Sequence, residues 1–147
     1  VAVKLYKFDG TTEALELLPL AARRALDHAG EKLSLDGFRS LEHVLRKELV
    51  ELGCASHVDV TRVRAIAKLG TPAAEPCSVR NDPPSDAPPP ELLEVLGAER
   101  PIPVNLWPLL SPLDRYALCK VAERGRAERI DGAYREIVGQ SALSTHL

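Results

Sequence analysis

Trp107-Pro-Leu-Leu-Ser-Pro-Leu-Asp-Arg-Tyr-Ala-Leu-Cys-Lys-Val121 holds the only tryptophan of the chain and its clearest helix start. Ser111 stands where an N-cap oxygen accepts from the first turn, and Pro112 takes the first helical position. Asp114 falls among the unsatisfied N–H groups that favour negative charge. Leu113, Ala117 and Val121 then recur at helical spacing with Leu118 beside them, and Arg115, Lys120 and Glu123 fall on the opposite side. The pattern predicts an amphipathic helix with Trp107 as a structural anchor beside its start, since a lone large aromatic contributes most by packing.

Outward from this stretch the rest of the chain also scans as helix. Pro19 opens a segment to about Ala29, with Leu18, Ala22, Ala25, Leu26 and Ala29 on one face and Arg23, Arg24 and Asp27 on the other. Gly30 is its expected stop. Ser34 to Phe38 suggests a single turn. Ser40 is expected to cap a helix striped by Leu41, Val44, Leu45, Leu49 and Leu52 and closed by Gly53. Val60, Val63, Ile66 and Ala67 mark another, ending at Gly70. A short helix is expected at Glu91–Leu96, and a last one from about Gly132 to Val138. Val3, Leu5, Tyr6 and Phe8 suit a short extended segment ended by Asp9-Gly10.

Residues 71–90 differ. Seven of the twelve prolines lie there, and Val79 is the one large aliphatic residue. Such a stretch buries too little apolar surface to offset its ordering entropy, which predicts an extended or mobile loop. The fold expected is all-α: a single compact helical domain over 1–139, of about five to seven helices, with a short extended N-terminal segment, the proline-rich loop at 71–90 inside it, and a C-terminal tail at 140–147.

The 147 residues suit one domain, and 45% hydrophobic with 27% charged residues is ordinary for a soluble globular protein. A formal net charge of −2 supplies no electrostatic reason to bind nucleic acid or anionic lipid. No apolar run reaches the ~18–20 residues of a membrane span. The early lysines interrupt any signal-peptide core, and three widely spaced cysteines read as reduced thiols, so a cytoplasmic location is expected.

Catalytic and metal signatures are missing from the pattern. Cys54-Ala-Ser-His57 places two metal-capable side chains together, but a zinc site needs three or four ligands and the remaining ones are distant. No metal site is therefore expected, and no cofactor is assigned. Glu48 and Glu51 lack a partnered nucleophile. The helices at 41–52 and 58–69 invite a helix-turn-helix reading with Arg62, Arg64 and Lys68 on the second, but these three do not share one flank.

Two blocks together resemble the nitrate-reductase-associated protein family of small bacterial proteins. The first runs from Phe8-Asp9 through Leu18-Pro19 and Arg23-Arg24-Ala25-Leu26-Asp27 to Gly30-Glu31-Lys32-Leu33-Ser34-Leu35. The second is the Trp107–Val121 stretch, and Ala133 to Gly139 sits where the family ends its domain. The resemblance implies a helical, noncatalytic accessory protein of molybdenum-dependent nitrate reductase, with the reductase or its molybdenum-cofactor assembly machinery as partner. Catalytic residues are not implied. Arg23, Arg24, Asp27 and Lys32 in the first block, with Arg115 and Lys120 in the second, become candidate partner-binding residues, because arginine forks suit interfaces. The ordinary role of such charges is a solvated face. The competing functions are a small helical enzyme or carrier in molybdopterin metabolism, which lacks a phosphate-binding motif here, and a helix-turn-helix regulator.

Overall fold

The computed structural model describes residues 3–139; the C-terminal tail at 140–147 lies outside the described residues. The described residues form seven α-helices and one two-stranded antiparallel ladder. By its contacts the chain divides into two compact units, residues 1–81 and 82–147, with the division inside the proline-rich stretch. The all-α expectation holds.

In the first unit, α1 (Leu20–Ala29) packs against α3 (His43–Cys54) and α4 (Val60–Ala67). Leu20, Ala21, Ala22, Ala25, Leu26 and Ala29 of α1 are buried. Pro19 has no capping side chain, so the first turn of α1 takes its acceptor from elsewhere: the Leu20 N–H donates to Asp9 Oδ2 at 3.0 Å. Gly30, at φ +67°, closes α1 with its N–H on the Asp27 and Leu26 carbonyls. The alanines let α3 approach closely, and at Gly53 an added Cβ would lie 1.7 Å from the Ala21 carbonyl oxygen. α2 (Leu35–Ser40) is capped by Ser34, whose hydroxyl accepts from the Gly37 N–H, and α4 by Asp59, whose carboxylate accepts from the Arg62 N–H.

Several sequence expectations are corrected in this unit. The extended N-terminal segment, unpaired in any ladder, stops at Tyr6 (φ −83°, ψ 135°) rather than at Phe8. A 3-10 turn over Lys7–Asp9, closed by left-handed Gly10, follows and brings Asp9 to the start of α1. Ser40 does not cap α3. Its hydroxyl donates to the Gly37 carbonyl and accepts from the Thr71 N–H, and α3 starts at His43 behind Glu42. Val44 is 64% exposed, since the close α1 crossing turns Leu49, Val50 and Gly53 inward instead.

The proline-rich stretch is partly docked as well. β1 (Glu31–Lys32) pairs with β2 (Glu75–Pro76), Glu31 opposite Pro76 and Lys32 opposite Glu75. The Ala74 N–H donates to Ala67, Cys77 to Gly30 and Arg80 to Asp27, each to the carbonyl oxygen. Backbone hydrogen bonds, rather than buried side chains, thus hold residues 74–80, which a hydrophobicity count does not register.

In the second unit, α6 (Pro112–Arg124) packs on α5 (Pro90–Leu96) and α7 (Ala127–Tyr134). α6 begins as expected, with the Ser111 hydroxyl accepting from the Asp114 N–H and Pro112 at the first position. Trp107 is fully buried in a 3-10 turn, and its indole Nε1–H donates to the Pro84 carbonyl at 2.8 Å. The last helix starts at Ala127 rather than Gly132 and runs on into a π-helical turn over Arg135–Gly139. Left-handed Gly125 is the break between α6 and α7, and Gly132 is tolerated inside the helix at roughly 1 kcal/mol relative to alanine.

Candidate functional site

The charged residues singled out in the sequence meet different surroundings within their own units. Arg24 is 0% exposed, a correction to the solvated-face expectation. Its Nη1 donates to the Gly53 carbonyl at 2.8 Å and to Ala55 at 2.6 Å, and Nη2 donates to Ser56 at 3.1 Å. These carbonyls end α3, where the helix dipole is negative, so the guanidinium is a buried C-terminal clip. Arg115 is corrected in the same way. It is 8% exposed and donates through Nη1 to the Leu110 carbonyl at 2.5 Å and to Trp107 at 3.4 Å. A five-donor fork can satisfy several carbonyls at once, which explains why arginine can be buried at these positions.

Arg23, Asp27 and Lys120 are half-buried, and each has an interaction of its own. Lys32 is exposed on β1, directly across from Glu75. Arg64 donates to the Ala29 carbonyl at 3.0 Å, another helix end. Arg62 forks onto Glu48, with Nε to Oε2 at 2.5 Å and Nη2 to Oε1 at 2.8 Å. That hydrogen-bonded guanidinium holds the Glu48 carboxyl below its ordinary value. The pair is solvent-exposed, so its small contribution is present at neutral pH and lost as pH falls through the lowered value. Arg62 and Arg64 are thus both engaged with groups of the chain itself.

Sequence reasoning missed Arg100, Arg39, Arg46 and His43. Arg100 Nε donates to Asp131 at 2.7 Å and its Nη1 to the Leu96 carbonyl at 3.0 Å, joining α5 to α7. No local motif marks such residues, because most of their acceptors lie 23 to 32 residues away in sequence.

Among the described residues no group of three His, Cys, Asp or Glu side chains could hold a metal ion. The Cys54 thiol accepts from the Lys4 N–H at 3.3 Å, and His57 is exposed. The outer face of α3 carries an open depression of about 490 Å³ lined by Val44, Lys47, Glu48, Glu51, Leu52 and Ala55. Its lining mixes apolar Val44 and Leu52 with charged Lys47, Glu48 and Glu51, and Val44 is well exposed.

The cysteines supply a direct check on the packing. Burial pushes the Cys119 thiol up to about 12, helped by the Glu123 and Glu91 carboxylates, and burial also raises Cys54. At pH 8 only about one Cys119 in 10⁴ is thiolate, the reactive form. Cys77 is exposed. Iodoacetamide followed by mass spectrometry is expected to label Cys77 first and Cys119 last. Equal rates for all three would contradict the packing around α6.

Residues 5–136 match the family model described as conserved nitrate reductase-associated protein. No curated protein matches the chain, and no solved structure does.

Proposed function

We propose a function from one premise: the chain belongs to the conserved nitrate reductase-associated protein family. It acts as a noncatalytic accessory protein of a molybdenum-dependent nitrate reductase, in the cytoplasm, assisting assembly or maturation by contact with the reductase or its cofactor-assembly machinery. The family match carries this reading. The geometry supports a revised docking surface. Arg24 and Arg115 hold the chain's own carbonyls, so reversing their charge breaks the fold before it tests any contact. The outer face of α3, with Val44 and Lys47 exposed, remains open to a partner. No helix among the described residues is long and apolar enough to cross a membrane.

The experiment is co-purification of the tagged chain from nitrate-grown cells, with molybdate supplied and withheld, alongside a deletion strain. The expected result is reductase in the eluate, lowered reductase activity in the deletion, and an unchanged reductase transcript. Absence of the reductase under both conditions, with normal activity in the deletion strain, would overturn the proposal.

A further inference from the structure

Residues 11–18, Thr-Thr-Glu-Ala-Leu-Glu-Leu-Leu, run from the Gly10 turn to the start of α1 as neither helix nor strand. Four successive carbonyls of this segment are received by side chains of α2 and α3. His43 Nε2 donates to Glu13 at 2.7 Å, Arg46 Nη1 to Ala14 at 3.2 Å and to Leu15 at 2.7 Å, and Arg39 Nε to Glu16 at 2.7 Å. In the middle stands Leu15, at φ +53° and only 3% exposed. A leucine in the left-handed region is strained and persists only where its surroundings hold it. Thr11 Oγ1 and Arg46 Nε are buried nearby in sequence and along the clamp without hydrogen-bond partners. The segment is therefore held by side-chain clamps over a strained backbone.

We propose that residues 11–18 are a removable strap, occupying in cis a seat that accepts from a partner an extended segment with an apolar residue between carboxylates. The strap's own sequence supplies that chemistry, with buried Leu15 between exposed Glu13 and Glu16. When the strap lifts, the seat of Leu15 and the donors of Arg39, His43 and Arg46 are uncovered together. Guanidinium groups that now hold neutral carbonyls bind carboxylates more strongly, and the departing strap sheds its strained leucine conformation. This deepens the reading of the chain as a partner protein and rests on it. The test involves no reductase, so the strap and the nitrate-reductase reading fail independently.

The full-length chain is digested under native conditions with a glutamate-specific protease across a series of sub-denaturing urea concentrations. Cleavage after Glu13 and Glu16 is expected to proceed at a rate nearly independent of urea, whereas cleavage after Glu48 in α3 rises steeply, because local opening exposes little surface. Arg39→Ala raises the strap rate tenfold or more and leaves the melting curve in place. Leu15→Asn suits the left-handed backbone but gives up the apolar anchor, and it opens the strap likewise. A fluorescent peptide of the strap sequence then binds the Leu15→Asn chain at least tenfold tighter than the unaltered chain, and adding Arg46→Ala abolishes that gain. Two results would each overturn the proposal: strap cleavage with the same urea dependence as Glu48 in both the unaltered and Arg39→Ala chains, or equal peptide binding to the unaltered and Leu15→Asn chains.

Discussion

Gly53→Ala is expected to remove about 3–5 kcal/mol of stability, a large share of the ~5–15 kcal/mol that holds an ordinary domain together. The added methyl would sit 1.7 Å from the Ala21 carbonyl oxygen and 2.4 Å from its carbon, so α1 and α3 must separate. The obstacle is backbone, which cannot swing aside as a side-chain tip can. Separation also draws the carbonyls of Gly53, Ala55 and Ser56 away from Arg24, leaving a buried guanidinium short of acceptors. Gly125→Ala is the control. At φ +70° with nothing near its Cβ position, it meets only the left-handed backbone cost of roughly 1–2 kcal/mol. Urea denaturation followed by circular dichroism compares the two, and a Gly53→Ala loss no larger than that of Gly125→Ala would mean the helices do not cross this closely.

Trp107→Ala is expected to cost ~3–5 kcal/mol, the range for deleting a buried large aromatic. The indole is 0% exposed, and its N–H is the donor to the Pro84 carbonyl. Truncation therefore opens a cavity beside the start of α6 and also strands that carbonyl. Trp107→Phe keeps most of the volume but loses the hydrogen bond and part of the ring system, for about 1–2 kcal/mol. The order unaltered, Phe, Ala in denaturation midpoint is the expected outcome. A Trp107→Ala loss below about 1 kcal/mol, with weakened reductase binding, would place the indole at an interface instead.

The helix starts and stops came from local chemistry and could be read in sequence. Ser111-Pro112 opens α6 and Gly30 ends α1, because capping depends on residues one to three positions apart. The buried faces of α1 and α6 followed from helical periodicity for the same local reason. Errors arose where the deciding partner was remote. Ser40 is taken by Gly37 and Thr71, and Val44 faces out because Gly53 fixes the rotation of α3 against Ala21.

The candidate site divides along the same line. Periodicity placed Arg24 opposite the alanine face and Arg115 opposite the leucine face, and both positions read as solvated. In the fold each meets uncapped carbonyls, from residues 53–56 for Arg24 and from residues 107 and 110 for Arg115. A buried carbonyl without a donor costs more than a well-forked arginine, so tertiary packing draws the guanidinium inward. Composition, periodicity and capping sufficed for an all-helical chain, and the ordered residues of two blocks for its family. Which charges hold the chain together and which face a partner depended on where distant backbone oxygens came to rest, and only the tertiary structure decided that.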